Sequence, residues 1–372
     1  MTQARSAPAT QATPSVDGAG TRTGGAGSEP LVSIIVNNYN YERFLGHAID
    51  SALAQTYPRV EVLVVDDGST DGSHAVIAGY GERVKAVLKE NGGQASAFNA
   101  GFAASRGQIV MFLDADDVLR ADAVARVVSA WAPGTAKVQF RLQFIDAAGA
   151  EIDGAHPHPA LPMASGDLTK EILSLGEYVA SPTSGNAFGR EVLGAILPME
   201  ADRWRLSADA YLGNLAPFFG DVVSIDERLG YYRVHGSNNW THHEPDPARM
   251  RFIVQTDLQK EALVLDAARR RNLPAAADLA LNSPWHVYAR ITLALTDPQN
   301  SEETRPIPDL AWKGLRATWR YPRATLRLKS LMTVWLVTTA VVPRGWAARL
   351  AVWRVYPARR PAVLRKIAQL VH

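Results

Sequence analysis

Between Leu31 and Leu113 the chain repeats one unit: a short β-branched apolar run, a polar cluster, then a stretch with helical spacing. Leu31–Val36, Val60–Val65, Val84–Leu88 and Ile109–Leu113 read as buried strands. Phe44–Gln55 carries Leu45, Ala48, Ile49 and Ala52 three and four residues apart and reads as a helix, as do the segment after Ser73 and Gln94–Ser105. Strands that alternate with helices lie mostly parallel in one sheet, with the helices covering its faces. Ligands bind such sheets beyond the carboxyl ends of the strands. The polar clusters fall at those ends: Asn37-Asn38-Tyr39-Asn40, Asp66-Asp67 and Asp114-Ala115-Asp116-Asp117. One cluster after a strand is an ordinary turn, whereas three on one rim mark a site.

The chain has no Cys among its 372 residues, which excludes disulfides, thiolate metal sites and cysteine nucleophiles. Any metal is therefore held by oxygen or imidazole. The Met1 end has no apolar core of the signal-peptide kind, and no run of 18 apolar residues occurs. Residues 1–28 are dominated by Ala, Thr, Ser, Gly, Gln and Pro, a composition that predicts a disordered arm. Apart from this alternation of element types, the sequence has no internal repeat.

Carboxylates two apart at a strand end, as in Asp114 and Asp116, can face the same crevice. Such hard oxygen ligands suit Mg²⁺ or Mn²⁺ when phosphates complete the shell. Asp116 or Asp117 would equally serve as N-cap of the helix expected over Ala121–Trp131. Ser69 and Asp71, flanked by Gly68 and Gly72, have the chemistry of a turn feeding a helix. Capping does not account for Asp66 and Asp67, which precede that turn.

These segments together resemble family 2 glycosyltransferases. Leu31–Asn40 is similar to the opening strand of that family, Val64–Asp71 to its second signature, Asn91-Gly92-Gly93-Gln94 with Asn99-Ala100-Gly101 to its third, and Phe112–Asp117 to its metal-binding DxD segment. The resemblance is dense over 31–131, thinner over 132–240 and absent beyond. It implies an α/β, Rossmann-like nucleotide-sugar-binding domain of the A-type, with a mostly parallel central sheet, that performs an inverting, cation-dependent sugar transfer. By the same resemblance Asn37, Tyr39, Asn40, Gly93, Gln94 and Asn99 bind the donor and Asp67 hydrogen-bonds its base. Asp116 ligates Mn²⁺ or Mg²⁺ on the diphosphate, and Asp114 holds the ribose or assists the metal. The implied base is Asp209, in Arg205–Leu212, where Ala208 stands in place of the family's usual Glu. As a residue it is also an ordinary first-turn carboxylate. Gly230–Asn238 is similar to a later segment, whose His235 would complete the metal shell, contact phosphate or serve the fold. Phe98 replaces an Arg common in the family, which removes one diphosphate contact. His156, His158, His242 and His243 receive no metal role, and Asn239-Trp240-Thr241 matches a glycosylation pattern by chance.

A sugar-phosphate nucleotidyltransferase would need a Gly- and cation-rich loop after the first strand, and none is present before Gly46. No G-x-G-x-x-G follows a strand, which excludes a dinucleotide dehydrogenase. A non-catalytic nucleotide-sugar or polysaccharide-binding protein is the first alternative, and a sugar-phosphate nucleotidyltransferase ranks behind it. Beyond the sheet, strand-like character returns at Val138–Ile145 and Gly230–Arg233, Gly149–Gly166 reads as a loop, and Met250–Arg271 and Ala275–Leu295 read as helices.

The net charge of +2 conceals an asymmetry. Residues 310–372 carry thirteen Lys and Arg and no acid, leaving a net of −11 for residues 1–309. Five of the nine Trp (Trp312, Trp319, Trp335, Trp346 and Trp353) lie in the same tail. Cations with interfacial aromatics are the composition of a helix in the headgroup plane. Leu331–Val342 is too short to span a bilayer. The tail is expected either on an anionic membrane surface, which would place the protein peripherally on the inner, cytoplasmic face, or packed on the acidic body. An acidic body repels nucleic acid, and no such partner is expected. The chain thus divides into an arm (1–28), a transferase domain (29–245; donor half 29–131, acceptor half 132–245), a helical extension (246–309) and a basic tail (310–372).

Overall fold

The computed structural model describes residues 29–236, 246–297, 299, 303–355 and 359–361. The expected arm 1–28, the Asn239–Thr241 pattern, His242, His243 and residues 362–372 lie outside them.

The alternating unit forms β1 (Val32–Asn38), α1 (Glu42–Leu53), β2 (Val60–Asp66), α2 (Ser73–Gly79), β3 (Lys85–Leu88), α3 (Gln94–Ala104) and β4 (Ile109–Asp114). There follow β5 (Val118–Leu119), α4 (Ala123–Ala130), β6 (Thr135–Ile145), β7 (Glu151–His156), α5 (Thr169–Leu175), β8 (Asn186–Gly189), α6 (Arg190–Ile196), α7 (Ala208–Leu215) and β9 (Asp221–Arg233). All nine strands join one sheet in the order β3-β2-β1-β4-β8-β6-β9-β5, with β7 added on β6. β1 to β4, β6 and β9 run one way, and β5, β7 and β8 oppose them, so the sheet is mostly parallel as expected.

Period-two alternation decides what each strand packs against. Val32, Ile34 and Val36 of β1 face α1 and α4, together with Val62, Val64, Met111 and Leu113. Ile35, Leu63, Val65, Val110 and Phe112 face the other way, into α3, α6 and α7. Both faces are buried, which is why these strands read as unbroken apolar runs. Phe98 belongs to this core, stacked on Phe112 with ring centroids 4.0 Å apart. The Phe98 side chain therefore serves the core and offers no polar group to the rim.

Several expectations of the second half are corrected. Gly149–Gly166 is not wholly loop, because β7 pairs with β6 within it. The strand expected at Gly230–Arg233 is the end of the longer β9, which lies parallel to β6. The helix expected from Ala275 begins only at Pro284, where Ser283 caps it by accepting from Trp285 N. Pro at the first helical position is well placed there.

The C-terminal part comprises α8 (Pro247–Arg270), α9 (Pro284–Thr296), α10 (Ile307–Arg320), α11 (Leu326–Val341) and α12 (Arg344–Val355). α9 to α12 share a core of Tyr288, Ile291, Leu310, Met332 and Leu336. Fully burying a Leu or Met side chain stabilises such a packing by about 1.5–3 kcal/mol. The described helices of the basic tail thus pack onto α9. Arg323 pairs with Glu171 of α5 at 2.7 and 3.0 Å, and Lys313 with Asp278 at 3.2 Å. Among the described residues no helix is long and apolar enough to cross a membrane.

Candidate active site

A cavity of about 500 Å³ opens at the carboxyl ends of β1, β2 and β4. That volume suits a small-molecule ligand. Asn37, Tyr39, Asp67, Gly93, Gln94, Asp114, Asp116 and Asp209 all line it.

The rim is held by hydrogen bonds within and between its turns. Asp66 points away from the cavity. It accepts from Asn38 Nδ2 at 2.7 Å and Ser69 N at 2.8 Å, and lies 2.9 Å from His74 Nε2. Burial pushes its carboxyl up, but these hydrogen bonds outweigh that and hold it below the usual range. Asp71 accepts from Ser73 N at 3.0 Å and so opens α2, as the turn reading required. Asp67 receives Gly92 N at 3.0 Å, Gly93 N at 2.6 Å and Lys89 Nζ at 2.6 Å. It thereby fixes the loop that enters α3. Gly93 sits at φ +84°, and a Cβ there would lie 2.3 Å from Arg205 Cγ, so only glycine fits.

Asp114 closes β4. Its Oδ1 accepts from Asn37 Nδ2 at 2.7 Å, and Thr183 also hydrogen-bonds it. Burial, then the negative charge of Asp116 and of Asp209, pushes its carboxyl up to about 7. Asp117 is not a cap. It accepts from Ser184 Oγ at 2.6 Å and Arg233 N at 3.0 Å, binding the end of β9 to the rim. Burial, with Asp116 and Asp114 beside it, raises this carboxyl too. Asp122 occupies the N-cap position of α4 and makes no side-chain cap bond, so neither Asp116 nor Asp117 starts that helix. Asp116 Oδ2 lies 3.0 Å from His235 Nε2, and the ring of His235 packs on Phe44 at 4.9 Å. His235 therefore orients Asp116. Among the described residues no three His, Asp or Glu side chains converge as a ready cation cage. Asp114 and Asp116 alone fit a cation that takes its remaining ligands from phosphates. Burial raises Asp114 first, and the crowding by Asp116 and Asp209 that adds to it is an excess of negative charge that such a cation would relieve.

Asn40 and Asn99 depart from the donor-binding expectation, since neither lines the cavity. Asn40 adopts φ +58° and accepts from Thr70 N at 2.7 Å, which locks the β1 turn to the β2 turn. Asn99 spends both amide groups on the backbone of Met199, at 2.8 and 3.0 Å.

The opposite wall is built from distant segments. Gln94 Oε1 accepts from Ala208 N at 3.0 Å and so ties α3 to the first turn of α7. That turn presents Asp209 to the cavity. Burial raises the Asp209 carboxyl, while the amide of Ala210 and the cations Lys260 and Lys137 counteract this. Glu177 and Lys260 line the same wall. Behind them Lys260 Nζ lies 2.7 Å from Asp257, and His286 Nε2 lies 3.0 Å from Glu177 and 3.3 Å from Asp257. Buried Lys137 donates to Tyr178 Oη at 2.9 Å, and burial lowers its ammonium to about 7. Sequence reasoning missed Glu177, Lys260, Asp257 and His286, because isolated charges on a loop or on amphipathic helices carry no local signal. It also passed over His156, which lines the cavity.

Three carboxylates at the ends of parallel strands, Asp67, Asp114 and Asp116, face a fourth, Asp209, across this cavity. Residues 33–188 match the sequence model of the family described as Glycosyl transferase family 2, so the chain carries a glycosyltransferase domain of that family. An uncharacterized glycosyltransferase of Nostoc sp. is 42% identical over 214 residues, covering 56% of this chain and 66% of the relative. One of Rickettsia prowazekii is 46% identical over 89 residues, 24% of this chain and 28% of its own length. The chondroitin synthase of Pasteurella multocida is 44% identical over 98 residues, 26% of this chain and 10% of the synthase. The chain thus spans 66% of the first of these relatives and much less of the others. Among solved structures, a mannosyltransferase of Pyrobaculum calidifontis in complex with GDP-Man and Mn²⁺ aligns over 90% of this chain and 87% of its own, at TM-score 0.48 and 18% identity.

Proposed function

We propose that the protein moves a sugar from a nucleoside-diphosphate donor to a saccharide or lipid-linked acceptor, with inversion at the anomeric carbon and dependence on Mn²⁺ or Mg²⁺. The observation that carries this reading is the single cavity in which Asp67, Asp114 and Asp116 meet Asp209. In this scheme Asn37, Tyr39, Asp67, Gly93 and Gln94 surround the nucleotide. Asp114 and Asp116 hold the cation, whose chemistry is to offset charge on the departing diphosphate. Asp209 takes the proton from the acceptor hydroxyl as its oxygen bonds to the anomeric carbon and the bond to the diphosphate breaks. Lys260 and Lys137 favour the ionised form that a base requires. A role in assembling polysaccharide or surface glycan, and attachment of the 310–372 region to an anionic membrane surface, belong to the same proposal.

Asp116→Ala is the direct test. It is expected to abolish cation-dependent turnover across a panel of nucleotide sugars while circular dichroism stays unchanged. An undiminished rate removes Asp116 from the reaction. In the unmodified protein, the donor that raises the melting temperature most in the presence of Mn²⁺ identifies the substrate by mass action.

A further inference from the structure

Nine of the fourteen large hydrophobic side chains exposed among the described residues lie between Trp312 and Val355. They are concentrated around α11. Its inner face buries Met332, Leu336 and Thr339 against α9 and α10. Leu331, Val334, Val337 and Val341 follow one another at spacings of three, three and four, and so form a second stripe on the outer face. Val334 is 64% exposed and Val341 75%. A helix on the surface of a globular protein ordinarily turns polar residues outward. α11 is apolar on both sides, with only one side covered.

The surroundings of the stripe are cationic. Arg327 lies on the same face toward the helix start, Arg344 stands beyond its end, and Arg316 and Arg320 are exposed on α10. Trp312 and Trp319 of α10 are exposed, and Trp319 Nε1 donates to Thr333 of α11 at 3.1 Å, which sets that indole beside the stripe. Trp346 is exposed just past the other end.

We propose that the outer stripe of α11 inserts into the interfacial layer of an anionic bilayer, with the indoles at headgroup depth and the arginines on the lipid phosphates. The inference rests on the membrane attachment proposed above and names the surface that performs it. Sixteen residues make a helix about 24 Å long, shorter than a hydrocarbon core of roughly 30 Å, so α11 lies in the plane of the membrane. A second copy of the chain is a poorer occupant. Stripe against stripe would bring two sets of arginines together, and residues 310–372 contain no acid to pair with them. Anionic lipid supplies both hydrocarbon and the missing negative charge.

The test uses the full-length protein and co-sedimentation with vesicles of phosphatidylcholine alone or mixed with phosphatidylglycerol. Wild type is expected to bind the mixed vesicles and to keep part of that binding at about 1 M salt, where the screening length falls to roughly 3 Å. The double variant Val334→Lys/Val341→Lys is expected to bind about tenfold or more weakly despite two added cations, because two valine side chains no longer enter hydrocarbon. Leu331→Ser supplies a neutral second variant with the same expected direction. If the lysine variant binds as well as wild type, charge alone attaches the tail; the stripe assignment is then wrong while membrane attachment stands. If wild type binds neither vesicle, both fail. If wild type dimerises without lipid and the variant does not, the stripe is a contact between copies, which overturns the proposal.

Discussion

Along the rim at the ends of β1, β2 and β4, each functional side chain sits at or just past a strand end and is held by hydrogen bonds from neighbouring strand ends and turns. Asp67 is fixed by the amides of Gly92 and Gly93, Asp114 by Asn37, and Asp66 by Ser69 three residues on. Across the cavity the wall is assembled differently. Glu177, Asp209, Lys260 and His286 come from separate segments and are held by mutual charge in a buried cluster. The rim depends on strand ends and on hydrogen bonds between neighbouring turns, so a change there is expected to alter ligand contact and leave the fold standing. The wall depends on compensated buried charge, so a change there is expected to unbalance its neighbours as well. Removing one partner of a buried ionic group costs more than the pair contributes, because the remaining charge is left without water or a counter-ion.

The hardest strain on this contrast is Asp257→Asn, which takes the carboxylate away from both Lys260 and His286. Denaturant unfolding is expected to show a loss of about 3–5 kcal/mol. A loss under about 1 kcal/mol would mean the wall is held by packing, and the contrast with the rim would disappear. Asp209→Asn comes next. Turnover is expected to fall roughly a hundredfold, about 2.7 kcal/mol in barrier, with donor affinity by calorimetry unchanged. Equal losses of rate and donor affinity would make Asp209 a structural member of the wall.

On the other side, Asn99→Ala removes the clamp on Met199. An expected stability loss of about 1–3 kcal/mol with unchanged donor affinity would confirm that Asn99 serves the fold. Weakened donor binding at unchanged stability would return it to the rim. The smallest effect concerns pH. Burial lowers the His286 pKa, but Asp257 and Glu177 more than offset this and raise it above the ordinary 6.5, against the opposing charge of Lys260. Its stabilising contribution is therefore complete below pH 6.5 and is lost as pH rises through the raised value. Lys137, lowered to about 7, titrates with the opposite sign, so the comparison is wild type against His286→Gln. The advantage of wild type in melting temperature is expected to shrink between pH 6.5 and 9, at no more than about 1.4 kcal/mol per pH unit. A constant difference would show that Asp257 and Glu177 do not raise the His286 pKa in the folded state.

How much of this was legible beforehand follows the same division. The first four strands, their helices and most of the rim could be read because each is specified within a dozen residues: β-branched runs bounded by Asn and Asp, and turns built on Gly, Ser and Asp. Asn40 and Asn99 were misplaced because a motif conveys which residues recur together and says nothing about where an amide points. β8 was invisible, being four residues whose pairing with β4 and β6 is settled only when the sheet closes. Nothing near Glu177 or Lys260 announces a cavity wall, since their significance lies in partners from other helices. The tail divides likewise. Its cations and tryptophans were plain in the sequence. That α11 would bury Met332 and Leu336 while leaving Val334 and Val341 bare was decided only by packing, because a helix with apolar stripes on two faces has no preferred inner face until its neighbours choose one.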